Sequence, residues 1–111
     1  MKFIPLIICL MATHTMAASL KLNCQLKHNY QNKLETSIDL RDMEKNQSLG
    51  TYEQFEFIVS SMGGQKIELQ LLDHSEPSRS YASGFISSTN QKLELIIWKR
   101  DYLVEANCSL K

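Results

Sequence analysis

The amino-acid sequence predicts an all-β fold. The expected form is a small antiparallel, barrel-like meander of about seven to eight strands, with a two-sheet β-sandwich as the alternative. In either form a disulfide links the first and last strands. Three observations lead there. From residue 20 onward apolar and polar residues alternate with a period of two, the signature of half-buried strands. No window sustains a helical period. Cys24 and Cys108 fall in phase with the core-facing apolar residues of the first and last segments.

The first segment sets Leu20, Leu22, Cys24 and Leu26 against Lys21, Asn23, Gln25 and Lys27. The second, 34–41, places Leu34, Thr36, Ile38 and Leu40 inward. A third spans 52–60 and buries Phe55, Phe57 and Val59, and Met62-Gly63-Gly64 then supplies residues suited to a tight hairpin. The fourth, 66–72, buries Ile67, Leu69 and Leu71. Pro77 cannot donate to a ladder, so 74–78 is a loop. The fifth, 80–87, contains Gly84, a candidate bulge. The sixth buries Leu93, Leu95 and Ile97. The Lys99-Arg100-Asp101 turn leads to the seventh, 102–110, whose inward set is Tyr102, Val104, Ala106, Cys108 and Leu110. Residues 41–48 support one helical turn at most.

Seven strands in a simple meander leave the first and last parallel. An eighth strand within 28–33 or 43–51 makes that seam antiparallel. Alternatively, the disulfide joins the two sheets of a sandwich.

The chain begins with Lys2, an apolar run of about nine residues and then small residues at Ala17, Ala18 and Ser19, the layout of a secretory signal peptide over 1–18. The run is too short for a bilayer-spanning helix, which needs about 20 residues. Residues 19–111 then form a single domain, exported to a bacterial periplasm or the extracellular space, with no stable membrane insertion after cleavage. Removal of the leader takes Cys9 with it and leaves two cysteines in an oxidising compartment, where a disulfide is expected. Closing so long a loop is worth roughly 4–5 kcal/mol on the chain-entropy model. The 12 basic and 12 acidic residues balance, so no electrostatic drive toward nucleic acid exists.

Catalytic signals are weak. No G-x-S-x-G elbow occurs. Asp73-His74-Ser75-Glu76 gathers suitable groups, but four adjacent residues at a strand end suit a turn better than a triad or a metal site. The expectation is a non-enzymatic protein without cofactor or metal.

Apolar residues in the opposite phase are more informative. Ile96 and Trp98 oppose Leu95 and Ile97, Leu103 opposes Val104, and Leu72 opposes Leu71. In a meander these four approach one edge. Trp98, Ile96, Leu103 and Leu72 are therefore the expected binding surface for a protein partner in the envelope or outside the cell. The competing reading has 43–51, with Met43 and Leu49, folding over that end as a second small core.

The order Tyr81-Ala82-Ser83-Gly84 followed by Trp98-Lys99 resembles a Ser-Ala-Ser-Gly-like loop and a Trp/Lys-containing strand in periplasmic inhibitors of C-type lysozyme. These are small exported β-barrels with a disulfide between first and last strands. The resemblance implies that Ser83 and Lys99 would enter a hydrolase cleft. It covers six residues. Tyr81 stands where the family has serine, and Trp98 and Lys99 adjoin where the family separates them, so the chain is not identified as a member. A third expectation, a carrier of a small apolar ligand, requires a hollow interior, whereas barrels of this size are filled by their own side chains.

Overall fold

A computed structural model describes residues 19–111; the signal peptide read over 1–18 lies outside the described residues. Eight antiparallel strands follow one another: β1 (Ser19–His28), β2 (Gln31–Arg41), β3 (Gln47–Tyr52), β4 (Phe55–Gly63), β5 (Lys66–Asp73), β6 (Ser78–Phe85), β7 (Lys92–Trp98) and β8 (Leu103–Leu110). The described residues contain no helix, and none long and apolar enough to cross a membrane. The eighth strand is β3, which falls on the 43–51 segment singled out for it and runs one residue beyond, to Tyr52.

The strands form two sheets, β2-β1-β8-β7 and β3-β4-β5-β6. Taken as a ring, they keep the sequential order of a meander, but ladder pairing stops between β2 and β3 and between β6 and β7. The preferred barrel-like closure thus gives way to the sandwich-like alternative. Local chemistry explains the two corners. In β3 the register slips between Ser48 and Gly50, and Gly50 takes φ 140°, a conformation that disfavours other residues. At the other corner, a Cβ on Gly84 would lie 3.1 Å from Leu93 Cδ1, so β6 and β7 meet through side chains rather than backbone.

The disulfide lies within one sheet. Cys24 and Cys108 are direct partners in the antiparallel β1–β8 pair, with Cα atoms 4.1 Å apart. The expectation that it links first and last strands holds, and the option of a bridge between two sheets does not. Between the sheets, Leu22, Leu26, Leu40, Phe55, Phe57, Val59, Ile67, Leu69, Leu71, Val104 and Ala106 pack with both cysteines into one core cluster. At about 25 cal/mol per Å² of apolar surface removed from water, this cluster is the main favourable contribution to folding.

Every strand reverses the chain, so turns alternate between two poles. One pole carries Asn29-Tyr30, Glu53-Gln54, His74–Pro77 and the Lys99–Asp101 turn. The other carries Ser19, residues 42–46, Gly64-Gln65, residues 86–91 and Lys111. At the first pole His28, Tyr52, Phe55 and Tyr102 close the interior, with ring centroids 5.4–5.9 Å apart. At the second, the backbone N–H groups of Met43 and Asn46 donate to the buried hydroxyls of Ser61 and Ser60.

Candidate functional site

Along β7 the side chains of Leu93, Leu95 and Ile97 turn inward, which sends Ile96 and Trp98 to the outer face of the β2-β1-β8-β7 sheet. Trp98 pairs with Leu103 on β8, and Ile96 with Glu105, so Ile96, Trp98 and Leu103 share one corner of that face. Trp98 is 82% exposed and Ile96 52%, while Leu103 is half-buried.

Leu72 is not with them. It belongs to β5, aligned between Glu56 and Arg79 on the outer face of the other sheet. The phase argument placed it outward correctly, but two sheets give two outer faces, and a meander drawn as one surface merges them. The 43–51 segment does not cover the Trp98 corner either. It forms β3 beside β4, and Leu49 packs against the main core.

A residue passed over in the sequence takes Leu72's place. Tyr30, in the β1–β2 turn, is 77% exposed. Asn29 N donates to Leu103 O at 2.8 Å, and Leu103 N donates to Asn29 Oδ1 at 2.9 Å, so the two hairpin tips are fastened to each other. Tyr30, Trp98, Tyr102 and Leu103 consequently line one open cleft of about 230 Å³ together with Asn29, Lys99, Arg100 and Asp101. Asn29 and Tyr30 adopt φ 50° and 70°. That geometry is the two-residue hairpin turn usually written Asn-Gly, and a tyrosine there occupies a region non-glycine residues seldom enter. The available signal was this turn: a hairpin of the Asn-Gly type with a large side chain in the glycine's position.

Several acidic and basic groups nearby tie the turns of this pole together. Lys99 Nζ donates to Glu76 Oε1 at 3.2 Å, joining the β7–β8 turn to the β5–β6 turn, and this bond followed by Glu76's charge raises the Lys99 pKa. Burial pulls the Asp73 carboxyl upward, but hydrogen bonds from the Ser75 hydroxyl and N–H and the Glu76 N–H, with Lys99 nearby, outweigh it and leave the group below its ordinary value. His74 Nε2 lies 3.1 Å from Glu56 Oε1. Bonds from Ser48 and then His74 depress Glu56. Burial comes first in raising Tyr102. Ser75 Oγ donates to Asp73 Oδ1 at 2.6 Å and Ser75 N donates to the same oxygen at 3.0 Å, which closes the segment as a turn. It borders an open concavity of about 500 Å³ shared with Leu72, Pro77 and Arg79. Among the described residues no three His, Cys, Asp or Glu side chains gather to hold a metal ion.

Ser83 and Lys99 are not brought into one surface. Ser83 lies on β6 opposite Glu68, five strand steps below Ser78, or roughly 17 Å at 3.3 Å per residue. Lys99 stays at the pole, held by Glu76.

No family model matches the chain, and no curated protein or solved structure matches it. The site is therefore interpreted from its own chemistry.

Proposed function

We propose that the protein is an exported, non-enzymatic binding module that docks a protein partner through the corner formed by Trp98, Ile96, Leu103 and Tyr30. The observation that carries this reading is the exposure of Trp98 and Tyr30 beside two hairpin tips that hydrogen bonds fasten to each other. Exposed aromatic side chains on a fixed scaffold lose little conformational entropy on binding and dominate interface energetics. Export is supported by the leader-like residues 1–18 and by the Cys24–Cys108 bridge, a bond that persists in oxidising compartments.

The test is capture from envelope extract by immobilised protein, repeated with Trp98→Ser alongside thermal melting. The expected outcome is a partner lost with Trp98→Ser while the melting temperature holds. A variant that melts well below the parent, with capture intact, would assign Trp98 to the fold and end this reading.

A further inference from the structure

The two sheets have four edges, β2, β3, β6 and β7, and an unprotected edge offers its backbone to any strand that reaches it. Three of them are blunted. β2 sets Lys33, Glu35, Asp39 and Arg41 along its exposed face. β3 is broken by the register slip between Ser48 and Gly50. β6 follows Pro77 and combines Arg79 with Gly84, a residue type that weakens a strand interior. β7 has no such device. Its seven residues, Lys92–Trp98, contain no glycine or proline and pair with β8 without a slip. Five of them are apolar: Leu93, Leu95, Ile96, Ile97 and Trp98.

The direction of each β7 backbone group follows from the turn beyond it. Lys99 N donates to Tyr102 O, so by alternation the ladder to β8 uses Leu93, Leu95 and Ile97. Leu103 obeys the same phase, since its N–H and C=O bond Asn29 and therefore point away from Trp98. The N–H and C=O groups of Lys92, Glu94, Ile96 and Trp98 thus point to the open side of the sheet. Among the described residues, no backbone bond outside the ladders reaches them. These same four residues carry their side chains on the outer face, with Ile96 and Trp98 uncovered. Spare ladder groups and exposed apolar side chains coincide on one strand.

We propose that the partner docked at the Trp98 corner is a second copy of this chain, whose β7 pairs antiparallel with β7 about a two-fold axis at Leu95. This register gives all seven residues of the strand an opposite. Lys92 faces Trp98 of the other copy, and Glu94 faces its Ile96. All four positions present spare backbone groups, so each facing pair exchanges both hydrogen bonds. The Lys92 ammonium comes within reach of an indole face, a favourable cation–π arrangement, and no like charges meet. Moving the axis to Glu94 sets that carboxylate against its own copy, and moving it to Ile96 brings Lys92 against Arg100. The balance of 12 basic and 12 acidic residues adds no long-range repulsion between copies. The product is an isologous dimer in which two four-stranded sheets continue into one. One edge strand with two exposed apolar side chains buries less than the standard of about 800 Å² per partner, so the association is reversible.

This proposal rests on the protein-docking reading and fails separately from it. Sedimentation of the purified protein across roughly three decades of concentration, up to about 1 mM, reads the association. The mean mass is expected to rise from one copy toward two. Ile96→Lys places a charge on the edge and should weaken the association by about tenfold or more, with melting unchanged. Amide exchange on the unaltered protein tests the register. The N–H groups of Glu94, Ile96 and Trp98 should gain protection as concentration rises, while those of β2 should not. A protein that stays monomeric throughout overturns the proposal. So does association that leaves the Glu94, Ile96 and Trp98 amides unprotected, which would place the contact elsewhere. Trp98-dependent capture of a different protein, beside a monomeric mass, keeps the docking reading and removes only the second copy.

Discussion

Ile58 and Ile96 are both isoleucines out of phase with the core residues of their strands, yet Ile58 is 9% exposed and Ile96 52%. The difference lies in strand position. Ile58 sits on β4, flanked by β3 and β5, with Ser48 and Gln70 opposite it on either side. Ile96 and Trp98 sit on β7, the edge of their sheet, with a paired neighbour only on the β8 side. Leu103, on the interior strand β8, is half-buried as this argument requires. An apolar residue facing outward is sheltered when ladders run on both sides of it and stays open when they do not. Only the second case yields a surface another molecule can use.

The contrast is open to test, beginning with the change of greatest expected effect. Replacing both Cys24 and Cys108 by alanine should cost about 4 kcal/mol, a large part of a typical total of about 5–15 kcal/mol. The loss should fall unevenly: amide exchange should accelerate across the β1–β8 seam more than across β4–β5. Equal acceleration in both sheets would show that the bridge does not serve one sheet preferentially. Next, Ile58→Ser should destabilise by roughly 2–3 kcal/mol, through lost packing and a poorly solvated hydroxyl, as read by urea denaturation.

A smaller effect is expected from acid. The folded state depresses the Glu56 pKa through Ser48 and His74. Its contribution is thus fully present above the unfolded value of about 4.3 and is lost as pH falls through the lower folded value. Glu56→Gln should flatten this part of the acid limb; an unchanged limb would mean the bonds do not hold in solution. Smallest of all, Trp98→Ser and Ile96→Ser should shift stability by no more than about 0.5 kcal/mol. A loss near that of Ile58→Ser would erase the distinction between the two outer faces.

Much of the fold was legible because period-two alternation reports directly on which face a side chain takes. The inward sets of β1, β4, β5 and β8 were all readable, as was the hairpin at Gly63-Gly64. The shape of β3 was hidden. Its bulge around Leu49 breaks the alternation, so only the bookkeeping of strand directions demanded it. Where the ring of strands opens into two sheets was not readable either, since corners depend on contacts such as Gly84 against Leu93 that no local pattern records. Among the site residues, Trp98, Ile96 and Leu103 emerged from phase alone. Leu72 was grouped with them because phase distinguishes inside from outside but not one outer face from another. Tyr30 carries no such signal, because a turn residue has no phase, and Trp98 across the cleft lies 68 positions away in the chain (98 − 30).

The start of β1 and the end of β8 lie side by side, with one more consequence. Lys111 N donates to Lys21 O, and Ser19 opens β1 at the pole opposite Tyr30 and Trp98. The length of β1 separates the two poles by about 30 Å. A segment continuing outward from Ser19 or from Lys111 therefore departs from the far side of the molecule. Immobilised through Lys111, the protein would hold its aromatic tip away from the support, facing whatever passes in solution.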